Sequence, residues 1–168
     1  PVLDVLSGIP AVAYGLFAFS FLTPLLQSAI PGLGTFNMLS AGLVLGVMIL
    51  PTMTSLSEDA LRQIPDSVRE AGRALGAPPL AVAVYLVLPA ASRSLVGAAF
   101  LALSRVLGES LIVAMAAGTL LTDTGNPLEA MQSLSSFVLL SGVNEVTGRG
   151  DSNHLVFGMA LCVFVLTL

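Results

Sequence analysis

The chain has 168 residues, of which 55% are hydrophobic and only 10% charged, against about 25% charged residues in an ordinary soluble domain. So few charges cannot coat a water-soluble globule, and a net charge of −4 makes nucleic acid an unexpected partner. The lone Cys162 excludes an internal disulfide framework or a thiolate metal cage.

The apolar residues gather in blocks at 5–26, 38–56, 94–121 and 155–168. The first three are near or above the roughly 17 to 25 residues that cross a hydrocarbon core; the fourth is cut by the end of the chain. Pro1 follows neither an initiator Met nor a basic n-region, so a fragment of a longer protein is expected rather than the end of a signal peptide. The first block contains Gly8, Pro10 and Gly15. Such breakers survive in lipid only where neighbouring helices re-satisfy the backbone, which predicts a buried span.

A turn at 31–34 leads to the second block, 38–56, whose length covers about 28 Å at helical rise. Gly42 and Gly46 form a GxxxG pair that permits close approach of two helices, and Pro51 predicts a kink near one end. Polarity then changes abruptly. Residues 57–76 hold seven charged side chains, and a helix is expected over about 65–75, with Ser67 and Glu70 at capping-box spacing and Gly76 as its stop. A second helical piece, 79–88, is expected to end at Pro89, with the third span beginning soon after.

The chain has no Lys, and Arg62, Arg69 and Arg73 fall in this one polar segment, with Arg93 after it. The positive-inside rule therefore places 57–89 in the cytoplasm. By spacing these three arginines share a helical face, which could serve only to solvate a loop or meet anionic headgroups. The connection 122–153 carries Arg149 against Asp123, Glu129, Glu145 and Asp151, so it is expected outside, with 128–140 forming a surface or re-entrant helix.

Inside the third block Arg105 and Glu109 stand four residues apart, hence on one helical face. Counted from Pro89, Arg105 lies about 24 Å along a helix, close to mid-membrane. An Arg at the centre costs about 2.5 to 3.5 kcal/mol on insertion scales, so it should face the bundle interior with a partner, for which Glu109 is the obvious candidate. A guanidinium fork suits an oxyanion such as phosphate, while a purely structural ion pair fixing helix register remains open. His154 has no ligand cluster around it, which argues against a metal site. The tripeptide Arg149-Gly150-Asp151 is too short to carry meaning. Without Lys there is no Walker A loop, so ATP is not cradled in that way by this chain.

Glu70-Ala71-Gly72, then Gly76, then Leu86-Val87-Leu88-Pro89 resembles the EAA loop of ABC importer permeases, in which Glu-Ala-Ala is followed by Gly and then Ile-x-Leu-Pro at the same intervals. Gly72 and Leu86 depart from that pattern conservatively. The resemblance implies a coupling helix, carried by Glu70, Ala71, Gly72, Arg73, Gly76 and Pro89, seated in a cleft of an ATP-binding subunit. Residues 102–110, ALSRVLGES, and 7–16, SGIPAVAYGL, are similar to segments of phosphate importer permeases, with Ala11 replacing the usual Ser. The stretch after Glu109 and Asn126-Pro127-Leu128 point to the C-type subunit.

The fold class implied is an all-α polytopic transmembrane helical bundle of the MetI-like permease type, incomplete at both ends, with 1–168 one permease domain. The function implied is a non-catalytic, multi-pass subunit of the bacterial inner membrane that passes phosphate along a path containing Arg105 and Glu109. Its implied partners are an ATP-binding subunit dimer that uses ATP and Mg, a second permease, a periplasmic phosphate-binding protein and the lipid bilayer, with no cofactor bound by this chain. Open alternatives are an A-type subunit, a permease for another oxyanion, an ion-coupled carrier with Glu109 as its proton or cation site, and a signalling or scaffold subunit.

Overall fold

The computed structural model describes residues 2–122, 125–146 and 153–168. Every regular element among them is a helix. The chain forms two compact units, one of Pro1–Ile49 with Ser104–Leu168 and one of Leu50–Leu103.

In the first unit α1 (Val2–Ser7) stops at Gly8, and Pro10, with extended ψ of 144°, caps α2 (Ala11–Phe17). The expected span at 5–26 is thus shifted. Gly8 and Pro10 separate two helices instead of being carried inside one, and the helical run long enough to cross a membrane is Ala11–Ala29. That run passes from α2 through a wide π turn, Ala18–Leu22, into α3 (Thr23–Ala29). The wide turn has a local cause. Pro24 has no N–H for the carbonyl of Ser20 and its ring would crowd that oxygen, and one extra residue in the turn relieves both problems.

The helix α4 (Met38–Arg62) contributes to both units and runs well past the expected end of its block at Leu56, carrying Pro51 inside it. Its start is fixed by Asn37, which is fully buried: the side-chain oxygen accepts from Ser40 N–H at 2.7 Å, and the side-chain amide donates to Gly34 O at 3.0 Å. The next two donors go to a returning strand of chain, Met38 N–H to Glu129 O at 3.1 Å and Leu39 N–H to Pro127 O at 2.9 Å. Asn37 N–H itself donates to Ala116 O at 3.0 Å, so all four orphan donors of this helix start are satisfied by groups outside the helix or at its cap.

Around α8 (Leu111–Ala116) the core collects Tyr14 and Ala18, Ala41 and Val44 of α4, and Ile112, Val113 and Ala116. Small residues and polar links suit packing in lipid, where apolar contact alone gives little advantage over acyl chains. The buried Thr23 hydroxyl donates to Ser40 Oγ at 2.9 Å, a link of about 0.6 kcal/mol by the average for such bonds in membranes. No heavy atom beyond the helix's own backbone lies within 4 Å of a Cβ built on Gly42 or Gly46, so among the described residues the GxxxG pair makes no close helix contact. Helix α9 (Leu134–Val146) packs on α10 (Asn153–Thr167). The helix expected at 128–140 begins later, at Leu134, because the carbonyls of Pro127 and Glu129 serve the start of α4 and Met131 N–H donates to Ala117 O at 3.1 Å. Asp123, Arg149 and Asp151, on which the outside placement of this connection rests, lie outside the described residues, as does the Arg149-Gly150-Asp151 tripeptide.

In the second unit α4 ends, α5 (Asp66–Ala74) follows, and α6 (Pro79–Val82) passes through a π turn at Ala83–Val87 into α7 (Leu88–Leu107). Pro89 was expected to end a helix. It instead sits in the first turn of α7, and the wide turn ahead of it does for Tyr85 O what the earlier one does for Ser20 O. The resulting helical run, Pro79–Leu107, has 29 residues, about 43 Å at helical rise, which exceeds the roughly 30 Å hydrocarbon core.

Candidate functional site

Two places hold the chemistry-bearing residues, and each is built differently. The first is the hairpin made by α5 and the start of the following helical run. Pro65 adopts extended geometry (φ −57°, ψ 143°) and α5 starts directly after it, with Asp66 in the first turn and Arg73 in the last, each on the side the helix dipole favours. Ser67 lies inside the helix and Pro65 provides the N-cap without a side-chain bond, so the expected Ser67–Glu70 capping box is not formed. The cap lies two residues before Ser67.

The other end of α5 is closed as the sequence suggests. Gly76 takes φ of 78°, its N–H donates to Arg73 O at 2.9 Å, and Ala77 N–H donates to Gly72 O at 3.2 Å. This is a Schellman closure, and a residue with a Cβ would pay about 1 to 2 kcal/mol for the left-handed conformation.

Glu70, Ala71 and Arg73 are exposed, as is Leu75 at the tip, whereas Gly72 is buried against Val82 and Leu86. The motif is therefore split between an outward face and an inward one. The three arginines do not share a face: Arg62 belongs to α4 and pairs with Glu58, Arg69 donates from Nη2 to Leu61 O at 2.9 Å, near the end of α4, and only Arg73 stands on the outward side of α5. Sequence spacing missed this because Ile64 and Pro65 separate two helices.

The second place is the end of α7. The apolar block at 94–121 is interrupted, since α7 stops at Leu107 and α8 begins at Leu111. The last turn tightens, with Gly108 N–H on Ser104 O at 3.1 Å and Glu109 N–H on Val106 O at 3.0 Å. Arg105 is in the last helical turn and exposed, and Glu109 is half-buried in the interruption. The i, i+4 geometry expected for them requires a helix that continues through Glu109, and α7 stops at Leu107.

The exposed end of α7 is closed from a distance in sequence. The Ser135 hydroxyl at the start of α9 donates to Leu107 O, and Ser133 Oγ accepts from Ser136 N–H at 3.1 Å as the cap of α9. A cavity of about 130 Å³ lies beside this closure, lined by Leu107, Ser133, Leu134, Ser135, Val163 and Thr167 among others. Its walls are mainly apolar, and its polar groups are hydroxyls already committed to helix ends.

Residues 1–168 match the family model described as binding-protein-dependent transport system inner membrane component. The chain is 35% identical over 168 residues to the probable ABC transporter permease protein YqgH of Bacillus subtilis, covering 99% of this chain and 54% of that protein. It is 35% identical over 188 residues to the phosphate transport system permease protein PstC 1 of Mycobacterium tuberculosis (98% and 56%) and 28% identical over 184 residues to the PstC protein of Xylella fastidiosa (98% and 56%). The chain thus spans about half the length of these relatives. No solved structure matches it.

Proposed function

The chain belongs to the family of binding-protein-dependent transport system inner membrane components, and from that premise we propose that it supplies part of the path and the coupling element of an ATP-driven phosphate importer. The observation that carries this reading is the interruption of an apolar block at 108–110, which follows Arg105 directly and contains Glu109. Interrupted helices are a recurring place where transporters expose backbone and charge to cargo. A guanidinium there offers paired donors to phosphate oxygens. Glu109 acts by its charge: it weakens the hold on the anion so that the anion can move on.

The hairpin of α5 supplies the second half of the proposal. Its outward residues, Glu70, Ala71, Arg73 and the exposed Leu75, form a short capped knob for an ATP-binding subunit, which hydrolyses ATP with Mg. A second permease and a periplasmic phosphate-binding protein complete the assembly. The names of the phosphate permeases among the relatives support phosphate over other oxyanions.

The test is phosphate uptake by the full-length permease assembled with its partners in proteoliposomes. Arg105→Ala is expected to lower uptake by about tenfold or more, the scale of one charge-assisted hydrogen-bond set. Arg105→Lys should fall between, because it keeps the charge and loses the fork. Unchanged uptake by an assembled Arg105→Ala would sink the proposed path. Uptake that persists with a hydrolysis-dead ATPase would point instead to an ion-coupled carrier.

A further inference from the structure

Gly72 occupies the place where the loop motif has Ala, in the interior of α5, where helix propensity by itself favours Ala over Gly. The geometry around it reverses that preference. A Cβ built on Gly72 would stand 2.6 Å from Leu86 Cδ1, 2.9 Å from Val82 Cγ2 and 3.3 Å from Val82 Cγ1. Leu86 can swing its terminal methyl aside, but Val82 is buried and β-branched, and a helical Val has essentially one rotamer. An Ala at this position therefore moves α5 itself. Leu86 belongs to the wide turn Ala83–Val87, and that turn leads directly into α7. The residue nearest to that added Cβ thus lies in the wide turn itself.

We propose that Gly72 is a positioning residue for coupling: by lacking a side chain it seats α5 on Val82 and Leu86, and this seat passes displacement of α5 to the wide turn and so into α7. The proposal rests on α5 being the element gripped by an ATPase. Gly72 and Val82 act as a matched pair, small against branched, so the loop motif's Ala is not interchangeable with Gly in this chain. The outward face of α5 is not altered by the match, since Gly72 is buried and Glu70 and Arg73 are exposed.

The experiment uses the full-length permease assembled with its ATPase, and reads co-purification of the ATPase together with phosphate taken up per ATP hydrolysed. Gly72→Ala should keep the ATPase bound and lower uptake per ATP by about fivefold or more, the scale of an overpacked contact. Gly72→Ala/Val82→Ala should return most of that loss. Unchanged coupling in Gly72→Ala, or a double variant no better than the single, overturns the seat. If Gly72→Ala fails to assemble, the double variant decides: assembled and coupled supports the matched pair, and unassembled overturns it. Failure of the underlying reading looks different, because the unaltered permease would then neither co-purify with the ATPase nor need its hydrolysis.

Discussion

The α5 hairpin and the interruption after α7 both place charged residues beside a helix end, yet their ends are closed by different means. The hairpin is closed by neighbours in sequence: Pro65 sets its start, and Gly76 and Ala77 return their N–H groups to Arg73 and Gly72. The interruption is closed by Ser135, which lies 28 residues from the carbonyl it caps. A locally closed element can present the same knob whatever the rest of the bundle does. An element closed from afar depends on the packing of α9, so its geometry can change when helices move. This division suits a transporter, in which the gripped knob has to stay rigid and the path has to open.

The sharpest way to break the comparison is Gly76→Val in the full-length permease. A β-branched residue in the left-handed region is expected to open the Schellman closure, with a cost of about 1 to 2 kcal/mol or somewhat more. Hydrogen exchange should show the amides at positions 76 and 77 roughly tenfold less protected, with the amides of α9 unaffected. Protection that stays unchanged at Ala77 would mean that the end of α5 is held by contacts other than its own backbone.

At the other site the corresponding change is smaller. Ser135→Ala removes one hydroxyl from the carbonyl of Leu107, and the loss should be about 0.5 to 1.5 kcal/mol. Exchange at the Gly108 and Glu109 amides should rise, while α5 keeps its protection. A response at α5 of equal size would erase the distinction between local and distant closure.

How much of this was legible follows the same division. The existence of the hairpin, the end of α5 at Gly76 and its limits to within a residue or two could be read from Pro, Gly and charge, because backbone constraints act over a few residues. The interruption could not be read. Residues 94–121 are apolar on both sides of Gly108, and one Gly inside a membrane helix is tolerated too often to signal a stop. The stop depends on Ser135 and on the core around α8, which periodicity does not report. Arg105 and Glu109 were visible as expensive residues in an apolar block, but their pairing was inferred from a helix that ends before the second of them. The return of 127–129 to the start of α4 is likewise set by backbone carbonyls, which no side-chain pattern encodes.

The smallest expected effect is at Ser67, and it tests how local the closure of the hairpin is. The sequence offers a capping box between Ser67 and Glu70, whereas α5 begins at Asp66 with Pro65 as a cap that makes no side-chain bond. A working Ser cap contributes about 0.5 to 2 kcal/mol, but an exposed Ser inside the first turn contributes little, and Ala is the better helix former there. Ser67→Ala should therefore leave the protection of α5 within about 0.5 kcal/mol of the unaltered protein, or raise it slightly. A clear drop in exchange protection across residues 66–70 would show that Ser67 is the working cap of the helix. The start of α5 would then be set by a side chain, and the hairpin would be closed by backbone at its Gly76 end alone.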